Sequence, residues 1–203
     1  VKQQDNAVKQ QDNAVKRLKG DSMFTRNYQL ILDELSQTLK QVDTEATDHF
    51  VKQILQADKV FVSGKGRSGF VANSFAMRLN QLGQQAYVVG ETTTPSIQEG
   101  DCLIIVSGSG STTHLQLLAD KAVAVGAHVL LLSTVMDSPI GQLADTTVVL
   151  PASTKQRAEG SQQPLGSLFE QSAQVLLDSL VLDIQTQLNI SEETMQENHA
   201  NLE

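Results

Sequence analysis

Hydroxyl, glycine and cationic residues gather at two places in this chain, each directly after an apolar run. Val60-Phe61-Val62 leads into Ser63-Gly64-Lys65-Gly66-Arg67-Ser68-Gly69, and Leu103-Ile104-Ile105-Val106 leads into Ser107-Gly108-Ser109-Gly110-Ser111-Thr112-Thr113. Such loops present bare backbone N–H groups and short hydroxyls at the start of a helix. The first helical amides are unpaired there and the dipole favours negative charge, so the chemistry is anion binding, best suited to phosphate. Ser63, Ser107, Ser109 and Thr112 are the candidate phosphate hydroxyls. Ser68 and Ser111 stand beside them, and Gly64, Gly66 and Gly110 let the backbone approach closely. Lys65 and Arg67 add positive charge, the guanidinium being the more directional of the two.

A second group of residues suits proton transfer. Glu170 stands one turn into an apolar helical stretch beside Leu168 and Phe169, and is the first candidate for a base that takes a proton from carbon. A helix-start carboxylate favoured by the dipole is its plainer reading. Glu91 closes the second apolar run and could bind a ligand hydroxyl or share the proton transfer. His199, in a polar tail, could shuttle protons between oxygens; a solvated terminal imidazole is the alternative. Arg67 could hold phosphate or steady a developing negative charge. His49, His114 and His128 show no ligand spacing, and Cys102 begins an apolar run as a buried, inert thiol without a disulfide partner.

Gly64, Gly66 and Gly69 also satisfy the dinucleotide spacing G-x-G-x-x-G, with Glu91 near the position of a ribose-binding carboxylate. Against a dinucleotide stand the charged Lys65 and Arg67 inside the loop, and a second hydroxyl-rich loop that one dinucleotide leaves unexplained. No G-x-x-x-x-G-K-[ST] is present, so a Walker loop is excluded.

The elements that must position these loops read as strand–helix alternation. Strands are expected near Lys59–Ser63, Gln85–Val89, Cys102–Ser107, His128–Ser133 and Thr146–Leu150. Helices are expected at Ser68–Leu82, Thr112–Val125 and, briefly, near Ile140–Leu143. Continuous apolar runs such as Val129-Leu130-Leu131-Leu132 are those of strands covered on both faces. The fold class expected is α/β, a doubly wound, flavodoxin-like five-stranded parallel sheet flanked by helices, with ligands at the carboxyl ends of the strands. Phe24 to about Ala57 is helical with a polar break at Asp43-Thr44-Glu45, more than one small sheet needs and able to pack on another subunit. A long helix follows over Leu165–Leu188, its stripe formed by Phe169, Ala173, Leu176, Leu177, Leu180, Ile184 and Leu188, and a short one starts at Ser191-Glu192-Glu193. Thr92-Thr93-Thr94-Pro95 reads as a loop shaping the pocket.

Residues 1–22 stand apart. Val1–Ala7 is repeated letter for letter by Val8–Ala14, and a third copy begins at Val15. Repeats so rich in Gln, Asn, Lys and Asp build no core, so this stretch reads as a tag-like or disordered leader, with residues 23–203 as one domain. The chain of 203 residues carries a net charge of -8. Such an acidic body argues against nucleic-acid and anionic-membrane binding, and no apolar run reaches a membrane span. One cysteine and no secretory segment point to the cytoplasm.

Taken with Val89-Gly90-Glu91-Thr92, Pro164-Leu165-Gly166-Ser167-Leu168-Phe169-Glu170 and His199-Ala200-Asn201-Leu202-Glu203, the two loops make the chain beyond its leader resemble the sugar isomerase (SIS) domain family. The Gly166–Glu170 and His199–Glu203 segments are similar to its 6-phospho-3-hexuloisomerase branch. The second loop departs from that pattern with Ser111, where the family commonly has Glu. The resemblance implies interconversion of D-arabino-3-hexulose 6-phosphate and fructose 6-phosphate through an enediol, with no metal or organic cofactor. It also implies a homotetramer with sites at subunit contacts. Another aldose–ketose phosphosugar isomerase, and a non-catalytic phosphosugar sensor, remain the alternatives; Glu170 and His199 speak for an enzyme.

Overall fold

The polar break in the N-terminal helical region separates two helices. In the computed structural model, which describes residues 22–152 and 160–202, α1 (Met23–Leu39) begins under Ser22 and α2 (Thr44–Gln56) under Asp43. Ser22 Oγ accepts the Thr25 N–H at 3.1 Å and Asp43 Oδ1 accepts the Glu45 N–H at 3.0 Å, each satisfying an orphan donor of a first turn. Ser22 thus caps the first helix, while the rest of the expected leader, residues 1–21, lies outside the described residues.

Five strands follow: β1 (Val60–Gly64), β2 (Ala86–Val88), β3 (Cys102–Val106), β4 (His128–Ser133) and β5 (Thr146–Val149). All pairings are parallel and the order is β2-β1-β3-β4-β5, the flavodoxin-like doubly wound sheet expected from the alternation. Crossovers run through α3 (Arg67–Gln81) and α4 (Thr113–Ala124); α5 (Ser167–Gln187) and α6 (Glu192–Glu197) complete the chain. Side chains alternate across the strands. Val60, Val62, Cys102, Ile104, Val106, Leu130 and Leu132 face a core shared with α2, α3 and α5. Phe61, Leu103, Ile105, Val129 and Leu131 face the opposite core under α4.

The short helix expected near Ile140–Leu143 does not form. Ser138 Oγ accepts the Gly141 N–H at 3.1 Å, and the Ile140 N–H is taken by the Gly110 carbonyl at 3.0 Å. The Gln142 and Leu143 N–H groups bond back to Ser138 and Ile140 as single turns that do not continue into a helix, and Ile140 is buried beneath the second glycine loop.

Register places the chemistry. β1 and β3 are adjacent, and Gly64 is the partner of Val106, so Lys65-Gly66 and Ser107-Gly108 leave the sheet side by side. This is the topological switch point, where one crossover goes to each face and leaves a crevice.

Candidate active site

Three helices start at this crevice, and none of them is capped by a side chain. Gly66 heads α3, Thr112 heads α4 and Gly166 heads α5, in each case without a side-chain hydrogen bond to the first turn. The helices that start elsewhere, α1, α2 and α6, are capped by Ser22, Asp43 and Ser191. Orphan N–H groups and positive dipole ends are therefore kept at the crevice and removed elsewhere. Between the three ends lies a cavity of about 220 Å³, lined by Lys65, Ser68, Val106, Ser107, Gly108, Ser109, Thr112, Leu115, Gly166, Phe169 and Glu170.

The loops are held in shape by backbone geometry. Gly66 (φ 61°) and Gly110 (φ 59°) occupy the left-handed region that favours glycine. A Cβ on Gly64 would lie 2.7 Å from the Ser68 carbonyl oxygen, so the end of β1 passes against the first turn of α3. In the second loop the Gly108 carbonyl accepts the Thr134 hydroxyl at 2.7 Å and the Ser133 hydroxyl at 3.2 Å, anchoring the loop to the end of β4. Ser111 Oγ lies 3.1 Å from Ser109 Oγ.

Glu170 sits in the first turn of α5, only 6% exposed, and lines the cavity. Arg67 Nη1 lies 3.0 Å from its Oε2 and donates to Ser167 Oγ at 2.9 Å. A buried carboxylate needs a counter-charge, and this half-exposed guanidinium supplies it. Glu170 and Arg67 also border a second, more apolar hollow with Ile31, Leu35, Phe70 and Val71. Among the described residues no three His, Cys, Asp or Glu side chains converge on a point able to hold a metal ion.

Of the residues singled out in the sequence, the cavity lining unites Glu170, Lys65, Ser68, Ser107, Ser109 and Thr112. Arg67 turns away to Glu170 and Ser167. Ser63, Gly64, Gly66, Gly110 and Ser111 shape the loops from outside the lining, with Ser63 buried in β1. Glu91 is exposed in the loop after β2 and does not line the cavity. Thr94 and Pro95, read as pocket-shaping, line a separate apolar hollow of about 100 Å³ with Phe61 and Leu103, because the 89–101 loop folds toward the α4 core. His199 follows α6, where Asn198 Nδ2 donates to the Gln81 carbonyl at the far end of α3. The 15 residues of α3 separate it from the cavity by about 20 Å. Phe169 and Gly166, read in the sequence only as neighbours of Glu170 and part of its motif, line the cavity as well, and so do Val106, Gly108 and Leu115, which the sequence did not single out as lining.

The comparisons agree with this architecture. Residues 53–176 match the family model of the SIS domain. A curated 3-hexulose-6-phosphate isomerase of Bacillus subtilis (strain 168) is 41% identical over 176 residues, covering 85% of this chain and 95% of that protein. One of Mycobacterium gastri is 39% identical over 189 residues, covering 92% and 94%. Among solved structures, a hypothetical protein of Methanococcus jannaschii, whose structure infers a molecular function of 3-hexulose-6-phosphate isomerase, aligns with a TM-score of 0.77. That match has 31% identity and covers 88% of this chain and 99% of that one.

Proposed function

The chain belongs to the SIS domain family, and we propose that it interconverts D-arabino-3-hexulose 6-phosphate and fructose 6-phosphate. Its class, phosphosugar isomerase, is supported by named relatives matching over most of its length. The observation that carries the finer reading is the joining of a buried carboxylate, Glu170, to three uncapped helix ends in one cavity.

In this reading the phosphate sits on the amides that open α3 and α4, gripped by Ser68, Ser107, Ser109 and Thr112, with Lys65 balancing its charge. Glu170 removes the proton from C2 of the 3-hexulose, the electrons of that bond form the C2–C3 double bond, and the C3 oxygen takes up a proton. The 2,3-enediol then receives the proton at C3 while its C2 hydroxyl loses one, leaving the carbonyl at C2. Phe169 and Leu115 keep water from the intermediate. Arg67 orients Glu170 by holding Oε2, so that Oε1 is left for the substrate.

His199 enters as the contribution of a second subunit, shuttling protons between the two oxygens, because its own cavity is out of reach along α3. Exposed Met23, Phe24 and Leu32 on α1, Phe70 on α3 and Leu182 on α5 support an assembly that covers them, which we take as a homotetramer. Its compartment in this reading is the cytoplasm.

The test is conversion of 3-hexulose 6-phosphate, with fructose 6-phosphate read by a coupled assay, for wild type and Glu170→Gln. Loss of kcat by about 10²–10⁴-fold in a folded variant is expected. Unchanged turnover would remove Glu170 from the base position and bring Glu91 forward.

A further inference from the structure

A carboxylate far from the cavity in sequence fixes the wall on which Glu170 stands. Glu34, on α1, accepts three hydrogen bonds from the stretch that precedes α5. Its Oε2 takes the Ser161 hydroxyl at 2.8 Å and the Gln163 side-chain amide at 2.9 Å, and its Oε1 takes the Gln162 N–H at 2.8 Å. Ser161 Oγ in turn accepts the Gln163 N–H at 3.0 Å, so the carboxylate closes a network over three consecutive residues. Burial tends to raise the Glu34 carboxyl, but the hydrogen bonds from Gln162, Gln163 and Ser161 outweigh it and hold the group below the usual carboxylate range. A charged acceptor is therefore in place at neutral pH, where such bonds are strongest.

Between this clamp and the cavity there is little slack. Pro164 has a locked φ, and its carbonyl accepts the Ser167 N–H at 3.2 Å. Leu165 lies at φ 57°, the left-handed region, with its side chain 68% exposed. Leucine is disfavoured in that region, and the turn closed by the Pro164 carbonyl and the Ser167 N–H holds it there. Gly166 and Glu170 follow, both in the cavity wall, joined by the Glu170 N–H to the Gly166 carbonyl at 3.0 Å. Ile31, one turn before Glu34 on α1, borders with Leu35 the hollow next to Glu170 and Arg67.

We infer that Glu34 is a positioning residue: it latches residues 161–163 to α1 and, through the short arm Pro164-Leu165-Gly166, sets the height of Glu170 in the cavity. The inference rests on the cavity being a phosphosugar isomerase site. It also gives the N-terminal helix a task that the sheet alone does not require.

The test compares wild type, Glu34→Ala and Glu34→Gln by isomerase kinetics and by backbone hydrogen exchange. Glu34→Ala is expected to lower kcat about 10- to 100-fold, while KM moves less than about threefold because the phosphate loops are untouched. Glu34→Gln keeps one acceptor oxygen and recovers part of that loss. Exchange should quicken from Gln162 to Glu170 and stay slow in β3 and β4. Unchanged kcat, unchanged local exchange, or exchange quickened equally in β3 and β4 would each overturn the latch. Should Glu34→Ala fail to fold, Glu34→Gln carries the same comparison. A wild type without isomerase activity would sink the functional reading, and the exchange pattern would still decide the latch.

Discussion

A single methyl group at Gly64 tests whether close backbone contact, rather than glycine flexibility, builds the first of the two proposed phosphate loops. An added Cβ would meet the Ser68 carbonyl oxygen at 2.7 Å and the Gly69 nitrogen at 2.8 Å, all of it backbone. That is about 0.7 Å inside ordinary contact, and no side chain can swing aside to relieve it. Either β1 or the first turn of α3 must shift. Overpacking of this kind costs about 1–3 kcal/mol, and each kcal/mol lowers Tm by about 2–4 °C in a chain of this size, so Gly64→Ala should melt about 2–12 °C lower. The shift also moves the amides that open α3 away from the phosphate. Losing one charge-assisted hydrogen bond, about 1.5–3 kcal/mol, weakens fructose 6-phosphate binding about 10- to 100-fold. Gly66→Ala is the control. Its Cβ meets nothing within 4 Å, but φ 61° is strained for alanine, so it should lose about 1–2 kcal/mol of stability and keep most of its affinity. Calorimetric titration and thermal melts on the three proteins decide the matter. If Gly64→Ala keeps both Tm and affinity, or if Gly66→Ala weakens binding as strongly, the steric account of this loop is wrong.

Arg67→Lys separates the two roles open to that residue. Its Nη1 serves both Glu170 Oε2 and Ser167 Oγ, a geometry a shorter-reaching ammonium does not reproduce, so kcat should fall about 10-fold with fructose 6-phosphate affinity held within about twofold. Lost affinity with kcat intact would instead return Arg67 to the phosphate. Cys102 is fully buried in β3, and its thiol is pushed well above its usual pKa by desolvation, then by Asp145 and Asp101. Iodoacetamide should leave it unmodified in the native protein and alkylate it in urea; rapid native labelling would mean that β3 opens.

The order of elements was legible because each strand is short, apolar and followed by a turn signal. Leu103-Ile104-Ile105-Val106 and Val129-Leu130-Leu131-Leu132 are buried on both faces, which no amphipathic alternation could mimic. The capped break at Asp43 was equally visible. Ile140–Leu143 was misread because its hydrogen-bonding partners, Gly110 and Ser138, include one thirty residues away. Local pattern cannot register a tertiary acceptor. The same limit explains Thr94 and Pro95, whose composition marks a loop without saying which face of the sheet it folds over.

The site shows a sharper division between what residue types encode and what only packing supplies. Each helix remote from the crevice starts with a side-chain cap, and each helix at the crevice starts with a residue whose side chain caps nothing. For Gly66 and Gly166 this could be read from the residue. For Thr112 it could not, because threonine is a good cap and only the folded loop leaves its hydroxyl uncommitted to the helix. Nor could any local pattern join Gly166 to Gly66. The two are brought together because α5 starts over the β1–β3 crevice and then crosses the core shared with α3. Arg67 shows the consequence. A cation inside a phosphate loop is read as a phosphate ligand until the helix carrying Glu170 arrives beside it, and the nearer, buried carboxylate then takes the guanidinium. The proposed anion site is thus encoded locally, in loops and missing caps, whereas the proposed proton-transfer site exists only where α1, α3 and α5 meet.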